Sequence, residues 1–429
     1  MASILFAWEL GGGLGHVMQL RPLAEGLIRR GHRVVLALRD LSRAQRVFGR
    51  EGVEFLQAPV KTYAEQNPFA LPMTFAHTLH NMGFSSAQEL WTMTQAWSGL
   101  YDYVRPRMII FDHAPTALLA ARGLAVKRVV IGSGFCIPVD ESPLPNLRRW
   151  IKVDAWKLRV DEQGVLDRMN QVLAERKQPA LERITQLYSQ VDETLLLTYR
   201  ELDHYPNRQE QAGQVRSGED GPVPVKYWGA WTKSEGKRPQ WPGGSGPKIY
   251  AYLKDFPALP ELLGALKELG NPAIVLVDGI AREVVERFRC EHIAFSREAM
   301  DMGAVASECD LAILNAGHGT TAAMLLAGKP ILQIPIYLEQ AMLAEAVRRM
   351  GAGLCASNRN GAQIVERLRE MLGTERYRAR AAEFAARYAR LDAAEAKKEM
   401  TGMIDDLLND TSPVIEPRGK AAAASGAFQ

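Results

Sequence analysis

The chain has 429 residues, of which 47% are hydrophobic, and a formal net charge of +3 at pH 7. This length exceeds what one hydrophobic core usually serves, so the sequence predicts two domains of about 200 residues each. So small a net charge on so long a chain indicates no polyanionic partner, and nucleic acid binding is not expected. The four cysteines lack the spacing of a metal or redox motif, which favours reduced thiols in a cytoplasmic protein.

No targeting or membrane-spanning pattern is evident in the sequence. The amino terminus, MASILFAWELGGG, lacks a basic region, and its apolar stretch is shorter than that of a signal peptide. No run of about 18 apolar residues is present either. We therefore expect a protein without a transmembrane segment, and the sequence leaves peripheral membrane contact open.

Strand and helix patterns alternate in the first half of the chain. Apolar runs predict strands at residues 4–10, 34–38, 108–111 and 128–131, with a helix around residues 20–30. Such alternation is typical of a parallel sheet with helices on both faces. The pattern breaks over residues 61–105, where aromatic and methionine side chains are frequent. They form either the wall of an apolar pocket or the packing between helices.

A stretch dense in glycine, proline and charge separates two such regions. Residues 232–246 predict a linker between an amino-terminal domain, residues 1–231, and a second domain, residues 247–385. Apolar runs in the second domain predict another doubly wound parallel sheet. Residues 386–410 predict a carboxy-terminal helix, and residues 411–429 have too few large apolar groups to fold. The predicted fold class is α/β, with two doubly wound, Rossmann-like parallel-sheet domains.

The glycine run GGGLGH follows the first strand and precedes the first helix. It is similar to the dinucleotide fingerprint GxGxxG, although His16 occupies the place of the third glycine. Asp40, at the end of the second strand, would then bind a ribose. A dinucleotide-dependent oxidoreductase is therefore one hypothesis for this region.

Residues 310–350 carry the most specific pattern, which predicts a strand, a glycine turn, a helix, a second strand and a further helix start. Gly317 and Gly319 would let backbone N–H groups approach an anion closely. Thr320 and Thr321 would open a helix whose unpaired amides and dipole favour a phosphate. The segment is thus either a phosphate cradle or a plain βαβ unit whose Thr and Glu residues are helix caps.

This segment resembles the donor-binding signature of UDP-dependent glycosyltransferases of the GT-B fold, the inverting plant and bacterial natural-product type. In that family a His, Gly, Gly/Trp, Thr/Ser turn is followed at a fixed distance by Asp/Glu and Gln. Here Glu339 and Gln340 follow, and Glu339 lies 24 positions after Asn315 (339 − 315), the family's interval. Asn315 stands where most members carry a histidine that contacts the diphosphate, and Ala323 where plant members carry a ribose-binding glutamate.

The resemblance extends to the amino-terminal domain. The Gly15-His16 and Leu23-Ala24 pairs match the family's first helix, which implies that His16 is the general base. It also implies that Asp112, at the end of a strand, orients the imidazole ring. The alternatives are that His16 packs within its turn and that Asp112 caps the following helix.

The resemblance implies two domains facing across a cleft and transfer of a sugar from a UDP-sugar or dTDP-sugar to a hydroxyl of a small, hydrophobic acceptor. The nucleotide sugar would be a co-substrate, with no tightly bound cofactor and no metal, because helix amides would stabilise the diphosphate. The final helix would pack back on the amino-terminal domain of a monomer or weak homodimer. A catalytically silent nucleotide-sugar-binding partner subunit is the alternative that the departures at Asn315 and Ala323 favour.

Two groups of residues are predicted to line the substrates. Lys254 could supply the charge that Asn315 lacks, unless it is simply an exposed lysine beyond a strand, and Phe295 falls where many members stack a tryptophan on the base. The predicted donor-binding residues are Asn315, Gly317, His318, Gly319, Thr320, Thr321, Glu339, Gln340, Lys254 and Phe295. The predicted acceptor-binding residues are Gly13, Phe75, Met82, Phe84, Trp91 and Phe135.

Overall fold

The structure is a computed structural model that describes residues 1–12, 14–42, 44–49, 52–208, 225–231 and 236–410. The chain divides into two compact units. The first comprises Met1–Gly132 and Cys136–Leu195, together with the described residues from Lys398 onward. The second comprises Ser133–Phe135 and Leu196–Lys397. The predicted tail, residues 411–429, and part of the predicted linker, residues 232–235, lie outside the described residues.

The first unit contains a six-stranded sheet. Its strands are β1 (Ser3–Trp8), β2 (Arg33–Leu38), β3 (Val53–Gln57), β4 (Met108–Asp112), β5 (Lys127–Gly132) and β6 (Glu193–Leu196). Its helices are α1 (Leu14–Arg29), α2 (Ala44–Phe48), α3 (Phe75–Leu79), α4 (Ala87–Val104), α5 (Pro115–Ala120), α6 (Ala155–Glu175) and α7 (Gln186–Ser189), with a π-helical turn at His80–Phe84. The strand order is β3-β2-β1-β4-β5-β6, and β1 pairs in parallel with both β2 and β4.

The second unit repeats this plan. Its strands are β7 (Ile249–Lys254), β8 (Ala273–Asp278), β9 (Ile293–Ser296), β10 (Leu311–Leu314), β11 (Ile331–Gln333) and β12 (Gly353–Cys355). Its helices are α8 (Leu259–Leu269), α9 (Arg282–Phe288), α10 (Met302–Glu308), α11 (His318–Leu326), α12 (Leu338–Met350), α13 (Gly361–Leu372) and α14 (Arg376–Tyr388). The order β12-β11-β10-β7-β8-β9 is that of a doubly wound sheet. The predicted fold class, two Rossmann-like parallel sheets, is confirmed.

The degree of burial explains which strands could be predicted from the sequence. Every residue of β4 and β10 is buried, because helices cover both faces of a parallel sheet, and such strands are continuous apolar runs. The edge strands β3 and β12 were not predicted. β3 is only partly buried and carries polar residues, and β12 has three residues. Edge strands need less apolar surface, so their patterns are weaker.

The second unit begins earlier in the chain than the predicted boundary at residue 231. The backbone N–H of Trp228 donates to the carbonyl of Leu196, and that of Gly229 donates to Thr198. Tyr199 and Ala230 lie in the core formed around β7 and β10. These contacts assign residues 196–208 and 225–231 to the second unit. The sequence had instead placed both ranges in the amino-terminal domain, before the predicted linker.

The last described helix, α15 (Ala393–Asn409), packs on α1 from Lys398 onward. A β-carbon built on Gly26 would overlap the side chain of Thr401, so the two helices approach closely there. Arg30, directly after α1, donates to Asp405 at 2.9 Å. Among the described residues, no helix has both the length and the apolar composition needed to cross a membrane.

Each sheet reverses its strand order once, between β1 and β4 in the first unit and between β7 and β10 in the second. In open α/β sheets, ligands bind beyond the carboxyl ends of the strands at this switch point. Asp112 ends β4, and Lys254 ends β7. The topology therefore places Asp112 and Lys254 at the switch points of their units.

Candidate active site

His16 and Asp112 contact each other within the first unit. The imidazole Nδ1 of His16 lies 2.9 Å from Oδ2 and 3.1 Å from Oδ1 of Asp112. The Asp112 side chain is fully buried, whereas that of His16 is 16% exposed. A carboxylate on Nδ1 favours the tautomer that carries its proton there and its lone pair on Nε2. The arrangement can therefore orient an imidazole base and stabilise its protonated form.

Two flat side chains hold the His16 ring. The Trp8 ring stacks on it with centroids 5.4 Å apart, and the His113 ring does so at 6.1 Å. Burial, together with the nearby His16, lowers the pKa of His113 to about 3. His113 is therefore neutral at ordinary pH and places no second positive charge beside His16. Its backbone φ of 44° is unusual for a residue other than glycine.

Gly11 lies against the reactive edge of the same ring. Its φ is +84°, in the region that favours glycine, and a β-carbon built there would overlap Nε2 of His16. Gly12 next to it has open space at the corresponding position. The absence of a side chain at Gly11 thus leaves the space that the His16 ring occupies. Gly13, predicted to bind the acceptor, lies outside the described residues.

Glu9 is a buried acid that the sequence analysis missed. Its carboxylate accepts hydrogen bonds from the backbone N–H groups of Thr116 (3.0 Å) and Ala117 (3.3 Å) at the start of α5. Burial raises its pKa to about 7, although these hydrogen bonds oppose the rise. Glu9 thereby ties the end of β1 to the helix that follows Asp112. A glutamate directly after an apolar strand and before a glycine run was the available signal.

The predicted acceptor residues fall into different environments. Phe75 and Phe84 are completely buried. The Phe75 ring packs edge-on against Tyr188, with centroids 5.6 Å apart, and lies 6.4 Å from His113. Both phenylalanines therefore belong to the core, which is the alternative that the sequence had left open.

The remaining acceptor candidates are more accessible or belong elsewhere. Met82 is 40% exposed in the π-helical turn, and Trp91 is half-buried on α4. Phe135 is buried and belongs to the second unit, where its ring packs edge-on against that of His204. Met82 and Trp91 are thus the predicted acceptor residues of the first unit that retain accessible surface among those described.

In the second unit, Asn315 links the ends of three adjacent strands. Its Oδ1 accepts from the backbone N–H of Lys254, the last residue of β7, at 2.5 Å. Its Nδ2 donates to the carbonyl of Ile334, after β11, at 2.7 Å. Asn315 itself follows β10 and is buried. Its amide therefore braces the switch point, a structural task that the sequence did not indicate.

The turn after Asn315 leads directly into α11. The residue with positive φ is Ala316, at 57°, and not one of the two predicted glycines. A β-carbon on Gly317 would contact nothing within 4 Å, so packing inside the chain does not require glycine there. The amides of His318, Gly319 and Thr320 precede the first intrahelical bond, so their N–H groups point out of the helix start.

Thr321 differs from its prediction as a donor-binding residue. Its backbone N–H donates to the carbonyl of Gly317 at 2.9 Å, which is the first bond of the helix. Its side chain is completely buried and lies 3.4 Å from Nε2 of Gln333. Thr321 therefore packs the helix onto the sheet, because the fourth residue of the turn already faces inward.

A segment of the second unit braces the start of α11. The imidazole Nε2 of His318 lies 2.8 Å from the hydroxyl of Thr198. The ring of His204 stacks on that of His318 with centroids 6.3 Å apart, and the backbone of Glu339 lies beside the His204 ring. Burial lowers the pKa of His318 to about 4 and that of His204 to about 3, so both are neutral. His204 thus connects the starts of α11 and α12.

An ion pair holds this bracing segment. Arg208 donates to Asp203 at 2.6 Å, and the hydroxyl of Tyr227 donates to the same carboxylate at 2.9 Å. Arg208 also donates to the carbonyl of Gly134. His204 and its supports were not predicted, because they lie in a polar stretch without periodicity.

Glu339 and Gln340 occupy the first turn of α12. The Glu339 carboxylate accepts a long hydrogen bond, 3.4 Å, from the hydroxyl of Ser133. The Oε1 atom of Gln340 accepts from the backbone N–H groups of Ile336 (2.8 Å) and Tyr337 (3.3 Å). Gln340 therefore caps its helix, and only its NH₂ group remains for a ligand.

Lys254 and Tyr337 add a cationic and aromatic pair near Asn315. The Lys254 ammonium lies 5.2 Å from the centroid of the Tyr337 ring, within cation–π distance, and both side chains are exposed. Tyr337 was not predicted. Phe295, on β9, instead packs partly buried against the core of the second sheet. Among the described residues, no group of three or more His, Cys, Asp or Glu side chains is placed to hold a metal ion.

Comparisons with known proteins identify one protein of similar sequence and several of similar structure. No protein-family model matches the chain. An uncharacterized glycosyltransferase of Mycobacterium leprae (strain TN) is 29% identical over 178 residues, and the match spans 40% of either protein.

Solved structures match over nearly the whole chain. The calicheamicin glycosyltransferase CalG4 has a TM-score of 0.71 at 16% identity, covering 96% of this chain and 99% of that chain. The glycosyltransferase VinC in complex with dTDP gives 0.63 at 16%, covering 95% and 99%. UGT2 of Phytolacca americana, complexed with UDP-2-fluoroglucose and pterostilbene, gives 0.61 at 15%, covering 96% and 100%. The resemblance predicted from residues 310–350 is thus confirmed, and the chain has the GT-B fold of these glycosyltransferases.

Proposed function

We propose that the chain is an inverting glycosyltransferase that moves a sugar from a nucleoside diphosphate to a hydroxyl of a small, apolar acceptor. The observation that carries the proposal is the contact between His16 and the buried Asp112 at the switch point of the first sheet. The complexes of VinC with dTDP and of UGT2 with UDP-2-fluoroglucose and pterostilbene support a nucleotide-sugar donor and a small acceptor.

The chemistry of the first unit follows from the His16 tautomer. The acceptor hydroxyl gives its proton to Nε2 while its oxygen forms a bond to the anomeric carbon of the sugar. The bond between that carbon and the diphosphate oxygen breaks, and its electron pair leaves with the diphosphate. Asp112 stabilises the imidazolium that forms. Attack from the side opposite the leaving group inverts the anomeric configuration.

The second unit supplies the groups for the leaving diphosphate. The helix start at His318, Gly319 and Thr320 favours an anion through its amides and its dipole. Open space beside Gly317 supports close approach of a ligand. Lys254 offers a positive charge nearby, which the neutral amide of Asn315 does not supply. Glu339 is proposed to bind sugar hydroxyls.

The test is turnover of a donor and acceptor panel by the purified chain. UDP- and dTDP-sugars are combined with small phenols and apolar alcohols, and released nucleoside diphosphate and product mass are measured. Wild type and the control His292→Ala should turn over, whereas His16→Ala should lose roughly a thousandfold of the rate or more. Full activity of His16→Ala would overturn the base assignment. NMR of the anomeric proton then distinguishes inversion from retention.

A nucleotide-sugar binder without catalytic activity is the second candidate, because both ends of the Asn315 amide are engaged by backbone. Calorimetry with UDP and dTDP separates the two. Tight nucleotide binding without turnover across the panel would favour the silent binder. For either candidate, Glu339→Ala should weaken nucleotide sugars more than free nucleotides, and equal weakening would exclude the sugar contact.

A further inference from the structure

The first turn of α6 exposes large apolar side chains although the apolar face of that helix is already packed. Trp156 is 71% exposed and Val160 is 48% exposed. They are four residues apart and therefore lie on the same side of the helix. Trp150, in the turn before the helix, is 51% exposed. The buried residues of α6 that face the core include Leu158, Val165, Leu166, Met169, Val172 and Leu173.

The backbone around the two tryptophans is ordered by hydrogen bonds. Asn146 donates to the carbonyl of Ile151 at 2.7 Å, which closes the turn that carries Trp150. Asp154 accepts from the backbone N–H of Trp156 at 2.9 Å and caps α6. Within the part of the chain that the structure describes, neither indole N–H has a hydrogen-bond partner. Both rings are therefore presented outward by a fixed scaffold.

Over residues 148–162, five basic residues outnumber the three acidic residues Asp154, Asp161 and Glu162. Asp154 is used as the helix cap, and Asp161 lies 3.1 Å from Nε2 of His77. The basic side chains lack such partners: none of the exposed residues Lys152, Lys157 and Arg159 makes a salt bridge to any described residue. Glu162 interacts electrostatically with Arg159, and the surface still combines exposed indoles with an excess of positive charge.

We propose that this Trp-basic surface, formed by Trp150, Lys152, Trp156, Lys157, Arg159 and Val160, docks on an anionic lipid bilayer. Indole rings prefer the boundary between water and hydrocarbon, where the ring is in the apolar layer and the N–H reaches polar groups. Lysine and arginine side chains are attracted to anionic headgroups at the same depth. A second copy of the chain fits less well, because it would bring like charges together. The inference is independent of the proposed enzymatic function.

The experiment measures binding of the full chain to vesicles by flotation. Vesicles of phosphatidylcholine alone are compared with vesicles containing about 30% phosphatidylglycerol, at low and at high salt. Anionic vesicles should bind at least roughly tenfold more tightly, and added salt should reduce the difference. Trp150→Ala/Trp156→Ala and Lys152→Glu/Lys157→Glu/Arg159→Glu should each lose roughly tenfold or more in affinity.

Matched variants elsewhere on the surface serve as controls. Tyr63→Ala/Tyr103→Ala removes two exposed aromatics, and Lys267→Glu/Arg282→Glu/Arg297→Glu reverses three exposed charges. Circular dichroism checks that all variants fold. Equal affinity for neutral and anionic vesicles, or equal losses in the controls, would overturn the proposal. Two further results would also overturn it. In the first, the tryptophan variant loses acceptor binding while wild type does not bind vesicles. In the second, wild type forms a dimer that the tryptophan variant abolishes.

Discussion

The side-chain oxygen of Asn315 accepts a hydrogen bond from the backbone N–H of Lys254, which joins two strand ends at the switch point of the second sheet. The same amide donates to the carbonyl of Ile334. Most members of the resembled family carry a histidine that contacts the diphosphate at this position. In this chain the Asn315 side chain instead joins backbone groups at the ends of neighbouring strands. The positive charge of the proposed donor site would then come from Lys254 and the start of α11.

Replacement of Asn315 by alanine should affect both stability and donor binding. Asn315→Ala leaves the Lys254 N–H and the Ile334 carbonyl unpaired in a buried position, which should lower the free energy of unfolding by about 2 kcal/mol. The KM for the nucleotide sugar should rise with it. Asn271→Ala is the control, because Asn271 is also buried and bonds to backbone carbonyls. It should destabilise without changing that KM, as urea unfolding and initial rates would reveal.

Asp112→Asn should remove activity while leaving the fold nearly unchanged. An amide in place of the carboxylate no longer fixes the proton on Nδ1 of His16 or stabilises the imidazolium, so kcat should fall roughly a thousandfold or more. Asp161→Asn is a close control, since Asp161 also contacts a histidine, His77, at 3.1 Å in the same unit. Comparable loss of kcat in both variants would indicate a general structural effect and contradict the assignment.

Gly11→Ala should disturb His16 specifically. The new methyl group would overlap Nε2, and the φ of +84° disfavours alanine, so kcat should fall at least roughly tenfold and stability by about 1 kcal/mol. Gly12→Ala provides the comparison, because its β-carbon meets open space. The kcat values of the two variants are measured at saturating donor and acceptor. Equal values would show that Gly11 does not determine the position of the His16 ring.

Glu9→Gln should make stability less dependent on pH. The pKa of Glu9 is raised from 4.5 to about 7 by burial. Between those values the folded state binds a proton that the unfolded state has released, so stability falls as pH rises through this window. The glutamine variant avoids this loss and should be more stable than wild type by up to about 3 kcal/mol at pH 8, with the gap closing near pH 4.5.

Denaturant titrations at several pH values measure this difference. Glu54→Gln is the control, because its pairing with Arg33 lowers the pKa of Glu54 and so places its effect below pH 4.5. A gap between wild type and Glu9→Gln that stays constant from pH 5 to pH 8 would rule out the buried, protonated state of Glu9.

His204→Phe should impair donor binding more than acceptor binding. Phenylalanine keeps the ring stacked on His318 but removes the polar ring nitrogens from beside the backbone of Glu339, so the donor KM should rise roughly tenfold. The acceptor KM should not change. His292→Phe, at the edge of the second sheet, should leave both constants unchanged. An equal rise in the two constants for His204→Phe would contradict a role confined to α11 and α12.

The sequence alone was sufficient for the features that depend on local pattern. Continuous apolar runs identified the buried strands, because a strand covered on both faces must be apolar throughout. The His16 and Asp112 pair was implied by the resemblance to the GT-B glycosyltransferases, and the convergence of strand ends on one edge of a parallel sheet agrees with it. Short edge strands such as β12 left no comparable signal, since they bury little surface.

The tertiary structure decided what each polar side chain does. Asn315, Thr321 and Gln340 looked alike in sequence as ligand-binding candidates, yet Asn315 braces strand ends, Thr321 packs in the core and Gln340 caps a helix. His204 had no pattern to mark it, and the position of Glu9 after an apolar strand did not reveal its role, because the importance of both residues comes from partners more than a hundred positions away along the chain. Hydrogen-bond partners and burial arise from the packing of distant segments, so periodicity and spacing along the chain do not reveal them.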